Sequence, residues 1–562
     1  MTSQIDPPQD GSAAANELVR RWWLIAALAI AALYSGLGLR LAFRLPDLVQ
    51  DDARQHVFWM RRFIDPSLFP NDLIADYFQA VAPAGYKLLY WIFAKAGIDP
   101  LLLSKILPAA IGLLIAYLTF ELFLALMPKP RGAFFASVLL GQLVWLKDDV
   151  ISATPRAFVC PLFLAFMLFL VRGRVLACLL IVALQALVYP QAGFVALGVL
   201  ALRLLKWRQR RFSFTTDRRD YILFVAAVCV FAAALLPFVS STARFRPVIT
   251  REQARALPEF LKHGRSQFFV HGPTYWIDAP RSGLLPNGNP PHILALALAA
   301  PGCLIFARRK FRAAILLQAG LAAVLMWAAA QLFLFKLHLP GRYSQWLFQI
   351  LFAIGAAASI AVLWELVENW GEQLRRKNSP RAASAITVAA LVLGAGVLIY
   401  PHLKNEFPAD SYIAARPREL YQFLCDQPKA TVTATLRNAA SLIPVFAQRS
   451  VLVSSEHAIP YHKGYYDLIR RRGQDLVRAY FTASRAELRA FIDKYNVDLI
   501  IVSRMPLNSR DVKKLRWFGA IAEDIPSEQR SALLDFIDNS KVWENDAMIV
   551  LDAHRIAQII EP

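Results

Sequence analysis

The chain has 562 residues, 57% of them hydrophobic and 12% aromatic, with a mean hydropathy of +0.40. That composition excludes an ordinary soluble enzyme and points to a polytopic membrane protein. The 62 Lys and Arg against 41 Asp and Glu give a formal charge of +21. The basic residues fall in short segments between apolar runs, a pattern of membrane orientation and anionic-lipid contact rather than of nucleic-acid binding.

In chain order, a polar tail at 1–21 precedes apolar runs near 22–43, 101–127, 132–147, 156–171, 175–188, 192–206, 221–239, 291–307, 312–335, 342–365 and 382–400. They predict an all-α polytopic membrane domain over 22–400 with about eleven transmembrane helices. The first run is too long for the apolar part of a signal peptide, so a retained anchor is expected. Arg20-Arg21, Lys206–Asp220 with six basic residues against two acidic, the basic run 308–312 and Arg375-Arg376-Lys377 mark one side. By the positive-inside rule that side is the cytoplasm. All four share it only if Pro83–Ile98, interrupted by Lys87 and Lys95, does not cross. The N-terminus is then expected inside, in a cytoplasmic (inner) membrane. Outer loops fall at 44–100 and 240–290, and the C-terminal region is placed outside.

Beyond Tyr400 the chain becomes polar. Strands are expected at Thr431–Leu436, Ser450–Ser454, Leu499–Ser503 and Met548–Leu551, and an amphipathic helix at Ser484–Tyr495. This predicts a small α/β extracytoplasmic domain over 401–562. The cysteines Cys160, Cys178, Cys229, Cys303 and Cys425 suggest no disulfide framework. His271, His292, His457 and His462 are too scattered for a zinc site.

The segment Asp51–Phe78 concentrates charge and aromatic rings next to the first apolar run. Ionisable groups gathered at such a boundary mark functional sites. Asp51 could instead cap a helix over Asp52–Ile64, and His56 stands one turn beyond Asp52. A second cluster is Lys147-Asp148-Asp149 followed by Thr154-Pro155-Arg156. Thr154-Pro155 reads as a cap and first helical position, so a helix end with Arg156 beside it suits an anion, or else forms an ordinary capped loop. A third cluster is Lys336, His338 and Pro340-Gly341-Arg342-Tyr343. Arg342 offers a planar fork for phosphate, or with Tyr343 an interfacial anchor. Lys87 is a further phosphate candidate. Tyr189-Pro190-Gln191 reads as a break between spans, with no function.

This layout resembles the GT-C superfamily of integral-membrane glycosyltransferases. The resemblance is carried by Asp51-Asp52 in a long first outer loop, by Ala82-Pro83-Ala84-Gly85-Tyr86 leading into Pro83–Ile98, and by an outer C-terminal domain. The stretches IPVFAQRSVLVSSEHAIPYHKGYY and ELRAFIDKYNVDLIIVSR look like the outer domains of bacterial proteins of this type. Trp22-Trp23 is followed by Leu24, so the Trp-Trp-Asp motif of oligosaccharyltransferases is missing.

The resemblance implies transfer of a sugar from a polyprenyl-phosphate donor to a glycan, lipid or protein acceptor at the outer face. Asp51 or Asp52 would take the acceptor proton. Among His56, Lys87, Lys147, Asp148, Asp149, Arg156, Lys336, Arg342 and Tyr343, the cations would surround the leaving phosphate. No cofactor or metal is assigned, although the carboxylates Asp51 or Asp52 and Asp148 or Asp149 are chemically compatible with a divalent cation. A lipid transporter or flippase, or a non-catalytic envelope assembly protein, is the alternative. Transporters place charge near the bilayer midplane, whereas here it gathers at one face.

Overall fold

The structure is a computed structural model that describes residues 10–208, 211–262, 264–286, 290–308, 314–403, 407–504, 515–522 and 530–560. Most of the basic run 308–312 lies outside the described residues, as do residues 209–210 within Lys206–Asp220.

Among the described residues, eleven apolar helices coincide with the eleven apolar runs. They are Asp10–Ala42, Pro100–Leu126, Pro130–Trp145, Val159–Val171, Val175–Val188, Pro190–Arg203, Arg218–Thr242, Pro290–Arg308, Ala314–Leu332, Gly341–Arg376 and Pro380–Ile399. Six of them are long and apolar enough to cross a membrane, and three more are shorter apolar helices. Helix Gly341–Arg376 outruns its apolar stretch. Its extension is held by ion pairs, Lys129–Glu365 at 2.7 Å and Arg131–Glu368, so it needs no apolar face there. Helices Pro290–Arg308 and Gly341–Arg376 cross where only glycine fits: a Cβ on Gly302 would stand 1.9 Å from the Gly355 carbonyl oxygen.

Pro83–Ile98 is not among the helices long and apolar enough to cross a membrane. It yields the helix Ala84–Lys95, 12 residues long, or about 18 Å, short of a hydrocarbon core of roughly 30 Å. Tyr86, Tyr90 and Ala94 are buried while Leu88, Trp91 and Ile92 are exposed, so one face packs inward and the other is left apolar. Gly85 lets this helix approach the end of Val175–Val188, because a Cβ there would meet Leu187 Cβ at 3.0 Å and the Leu187 carbonyl at 3.1 Å.

The C-terminal region carries a five-stranded sheet in the order Ser450–Val451, Val432–Ala434, Leu499–Ser503, Met548–Asp552, Lys541–Glu544. The first three strands are parallel and the last two pair antiparallel. The edge strand Lys541–Glu544 is unexpected from sequence, since its exposed charges hide any alternation. Helix Arg485–Tyr495 starts where expected, with the Ser484 hydroxyl accepting from the Glu487 amide at 3.2 Å.

The loop 44–100 and the C-terminal region share one hydrophobic core. Val49, Trp59, Phe78, Tyr86 and Tyr90 lie in the same buried cluster as Leu420, Tyr465, Ile500 and Val550. A short strand, Leu48–Gln50, pairs antiparallel with Tyr412–Ala414. That pairing, rather than the chain's linear order, fixes the segment that leads into Asp51-Asp52.

Candidate active site

The acidic pair follows directly from this strand pair. The Asp51 amide donates to the Ser411 carbonyl at 2.9 Å. The Gln50 side-chain oxygen then accepts from the amides of Asp52 at 2.8 Å and Ala53 at 3.0 Å. A short helix, Ala53–His56, opens at this point with Asp52 at the cap position, yet the Asp52 side chain caps nothing. The expectation that Asp51 caps a helix over Asp52–Ile64 is therefore corrected. Gln50 satisfies the free amides, and both carboxylates are released for other partners.

Those partners differ. Asp52 bonds Arg156, and Arg156 also reaches Asp149 at 3.0 Å and Asp148 at 3.8 Å. One guanidinium thus sits among three carboxylates from two loops distant in sequence. Asp51 pairs instead with Arg54 at 2.5 Å. Arg54 also holds Glu456 at 2.7 Å and the Ser441 hydroxyl at 2.8 Å. Arg265 and Gln55 both bond Glu456. Burial raises the pKa of the Glu456 carboxyl, opposed by the charges of Arg265 and Arg54. Asp51 is thereby tied to the C-terminal region and Asp52 to the membrane helices.

Lys147 and Arg342 complete the cluster. Arg342 opens its helix from a half-buried position, within electrostatic range of Tyr189, Asp149 and Asp148. Lys147 lies in the fields of Asp149, Arg342 and Asp148, and burial lowers its pKa. Among the described residues, neither Arg342 nor Lys147 has an ion-pair partner, while Arg156 has three. Two half-buried cations without counterions, beside a carboxylate held by a third, form a pocket of charge suited to an incoming anion.

Thr154-Pro155-Arg156 does not build a helix-end anion site. Thr154 makes no cap hydrogen bond and instead shares one with the Ser152 hydroxyl at 2.8 Å. Pro155–Phe158 is a four-residue 3-10 turn. Arg156 acts through its side chain.

Four other sequence candidates lie elsewhere. His56 turns its ring edge to Phe78, 5.7 Å between centroids, and burial lowers its pKa to about 4. Lys87 extends toward the Gln79 carbonyl at 3.4 Å. Lys336 is exposed. Tyr343 is buried, with its hydroxyl donating to the Leu337 carbonyl at 2.7 Å, which makes it a brace for the loop before Arg342.

Sequence reasoning passed over Tyr189, Arg281, Arg265 and Glu456. Tyr189, a span break by sequence, is buried within electrostatic range of Arg342 and Arg156. A tyrosine at the junction of two short apolar helices was the available signal. Arg281, from the loop before helix Pro290–Arg308, acts electrostatically on Arg156. Arg265 and Glu456 carried no signal, being single charges in long polar segments. Among the described residues, no group of three or more His, Cys, Asp or Glu is arranged to hold a metal ion.

The helices run alternately to and from this cluster. Val159–Val171 starts beside it and ends at Arg172, which bonds Glu121 together with Arg20 at 2.6 Å. Pro190–Arg203 starts at Tyr189 and ends at Arg203. The basic groups Arg20, Arg131, Arg172, Arg203 and Arg375-Arg376 therefore lie at the helix ends remote from Asp52.

No family model matches the sequence, and no curated protein matches it. Among solved structures, the oligosaccharyltransferase of Archaeoglobus fulgidus in its apo form superposes with a TM-score of 0.50 at 13% identity, covering 89% of this chain and 71% of that one. The same enzyme tethered to an acceptor peptide containing an NVT sequon gives the same figures. ArnT from Cupriavidus metallidurans gives a TM-score of 0.49 at 14% identity, over 96% of this chain and 99% of that one. The chain has a GT-C fold, that of integral-membrane glycosyltransferases.

Proposed function

We propose that this protein is a membrane glycosyltransferase. It moves a sugar from a polyprenyl-phosphate donor to a glycan, lipid or protein acceptor at the outer face of the cytoplasmic membrane. The observation that carries the reading is the meeting of Asp52 with Arg156 beside Arg342 and Lys147, neither of which has an ion-pair partner among the described residues. The fold supports it, since the same architecture serves glycosyl transfer in the oligosaccharyltransferase.

The chemistry follows from these groups. An acceptor O–H or N–H approaches the anomeric carbon while Asp52 takes its proton. The new bond to the anomeric carbon forms as the bond from that carbon to the phosphate oxygen breaks. The electron pair leaves with the polyprenyl phosphate, and Arg342 and Lys147 stabilise its charge. Arg156 holds Asp52 in place until the acceptor arrives. With the N-terminus in the cytoplasm, the remote basic helix ends meet the inner leaflet, as the positive-inside rule requires.

The test is glycan analysis of envelope material from a strain lacking this gene, complemented with wild type or Asp52→Asn at equal membrane abundance. The reading expects a sugar modification that wild type restores and the variant does not. An unchanged glycan profile in the deletion strain would overturn it.

A further inference from the structure

The end remote from the candidate site carries an element the sequence did not announce. Helices Pro190–Arg203 and Arg218–Thr242 are joined by two antiparallel strands, Leu205–Arg208 and Arg211–Phe214. Their register pairs Leu205 with Phe214, Lys206 with Ser213, Trp207 with Phe212 and Arg208 with Arg211. Paired residues share a face of the ribbon and successive residues alternate. Leu205, Phe212 and Phe214 therefore share one face, and Lys206, Arg211 and Ser213 the other.

A ribbon in water would not keep that apolar face. Phe212 is 75% exposed, Phe214 70% and Leu205 38%, and a lone two-stranded ribbon is only marginally stable without cover. The charge around it is one-sided. Arg211, Arg218 and Arg219 are exposed and have no ion-pair partner among the described residues. Of the nearby carboxylates, Asp220 is already taken by Arg203 at 2.6 Å and Lys206 at 3.7 Å, and Asp217 accepts from the Arg219 amide at 2.9 Å as the cap of helix Arg218–Thr242. Apolar rings on one face with uncompensated arginines around them match the boundary between acyl chains and anionic headgroups.

We propose that this ribbon is an interfacial anchor for anionic lipid. Leu205, Phe212 and Phe214 enter the acyl boundary, and Arg211, Arg218 and Arg219 reach lipid phosphates. The guanidinium forks suit phosphate oxygens, and the long side chains can extend to headgroup level. The anchor fixes the remote end of helix Pro190–Arg203, whose other end begins at Tyr189 in the candidate site. It depends on the ribbon alone and stands whether or not the chain transfers sugar.

The test uses the full chain in nanodiscs of phosphatidylcholine alone and of phosphatidylcholine mixed with phosphatidylglycerol. Hydrogen–deuterium exchange is followed in peptides covering 205–208 and 211–214. Wild type should exchange more slowly in the phosphatidylglycerol discs, by roughly fivefold for each arginine engaged. In Arg211→Gln/Arg218→Gln/Arg219→Gln that difference should vanish. In Phe212→Ser/Phe214→Ser the strands should exchange fast in both lipids, while peptides from helix Pro100–Leu126 stay protected and report an intact fold. Equal wild-type exchange in neutral and anionic discs would overturn the proposal without reference to any variant.

Discussion

Asp52 and Arg156, 104 residues apart in the chain, are joined by an ion pair that ties the loop 44–100 to the turn before helix Val159–Val171. The pair exists because Gln50, and not either aspartate, satisfies the free amides at the start of the Ala53–His56 turn. A cap is a local device. Once a glutamine supplies it, the acidic pair is free for other partners, the distant Arg156 for Asp52 and Arg54 one turn on for Asp51.

Arg342 should govern donor use. Its fork can make two parallel bonds to a phosphate that an ammonium cannot reproduce. Arg342→Ala should raise the donor KM by roughly ten- to a hundredfold, the worth of a charge-assisted bond of about 1.5–3 kcal/mol. Arg342→Lys should fall between the variant and wild type. The acceptor KM should be unchanged. Donor saturation curves that superimpose for wild type and Arg342→Ala would leave Arg342 as an interfacial anchor only.

The strand pair that presents the acidic residues can be trapped covalently. The Ala415 amide donates to the Asp47 carbonyl, and the Asp51 amide to the Ser411 carbonyl. Leu48 and Ala414 therefore form a pair without its own ladder bonds, at a Cα separation of about 4.5 Å. That lies within the range a disulfide accepts. Leu48→Cys with Ala414→Cys should crosslink on mild oxidation and shift in non-reducing electrophoresis, while Leu48→Cys with Ala479→Cys should not. Absence of the first crosslink would show that the loop and the C-terminal region do not pair.

Much of the fold was legible because membrane helices announce themselves locally. Each needs its own apolar run, so the apolar helices coincide with the apolar runs of the sequence. Leu499–Ser503 was equally plain, a continuous apolar strand buried in the sheet. What could not be read depends on distant pairing. Leu48–Gln50 has three residues and becomes a strand only against Tyr412–Ala414. Glu456 gains meaning only when Arg54, Gln55 and Arg265 surround it. In the site, residue type singled out charged loops that the fold brings together. It could not tell which aspartate meets Arg156, nor that Tyr343 spends its hydroxyl on a backbone carbonyl.

Acid should weaken the outer unit. Burial lowers the pKa of His56 and His462 to about 4 and of His457 and His338 to about 3, against an ordinary 6.5. Each ring stays neutral in the folded state at pH values where the unfolded chain would bind a proton. Their contribution to stability is complete above about pH 6.5 and is lost as pH falls toward those folded values. The loss is about 1.4 kcal/mol per pH unit for each ring. Unfolding of the outer unit, followed by hydrogen exchange at 431–453, should ease steadily from pH 7 to pH 5. His457→Gln should flatten the slope. A pH-independent profile over that range would contradict the burial of these rings.

The central claim is that Asp52 takes the acceptor proton. Its most direct test is the transfer rate of purified protein in nanodiscs at saturating donor, supplied as the lipid-linked sugar pool extracted from the deletion strain. Asp52→Asn keeps the shape of the side chain and removes its basicity, so the rate should fall by about a hundred- to ten-thousandfold. Asp51→Asn should fall far less, because Asp51 pairs with Arg54 and, among the described residues, makes no ion pair with Arg156. An Asp52→Asn protein that transfers sugar at the wild-type rate, at matched abundance, would contradict the account.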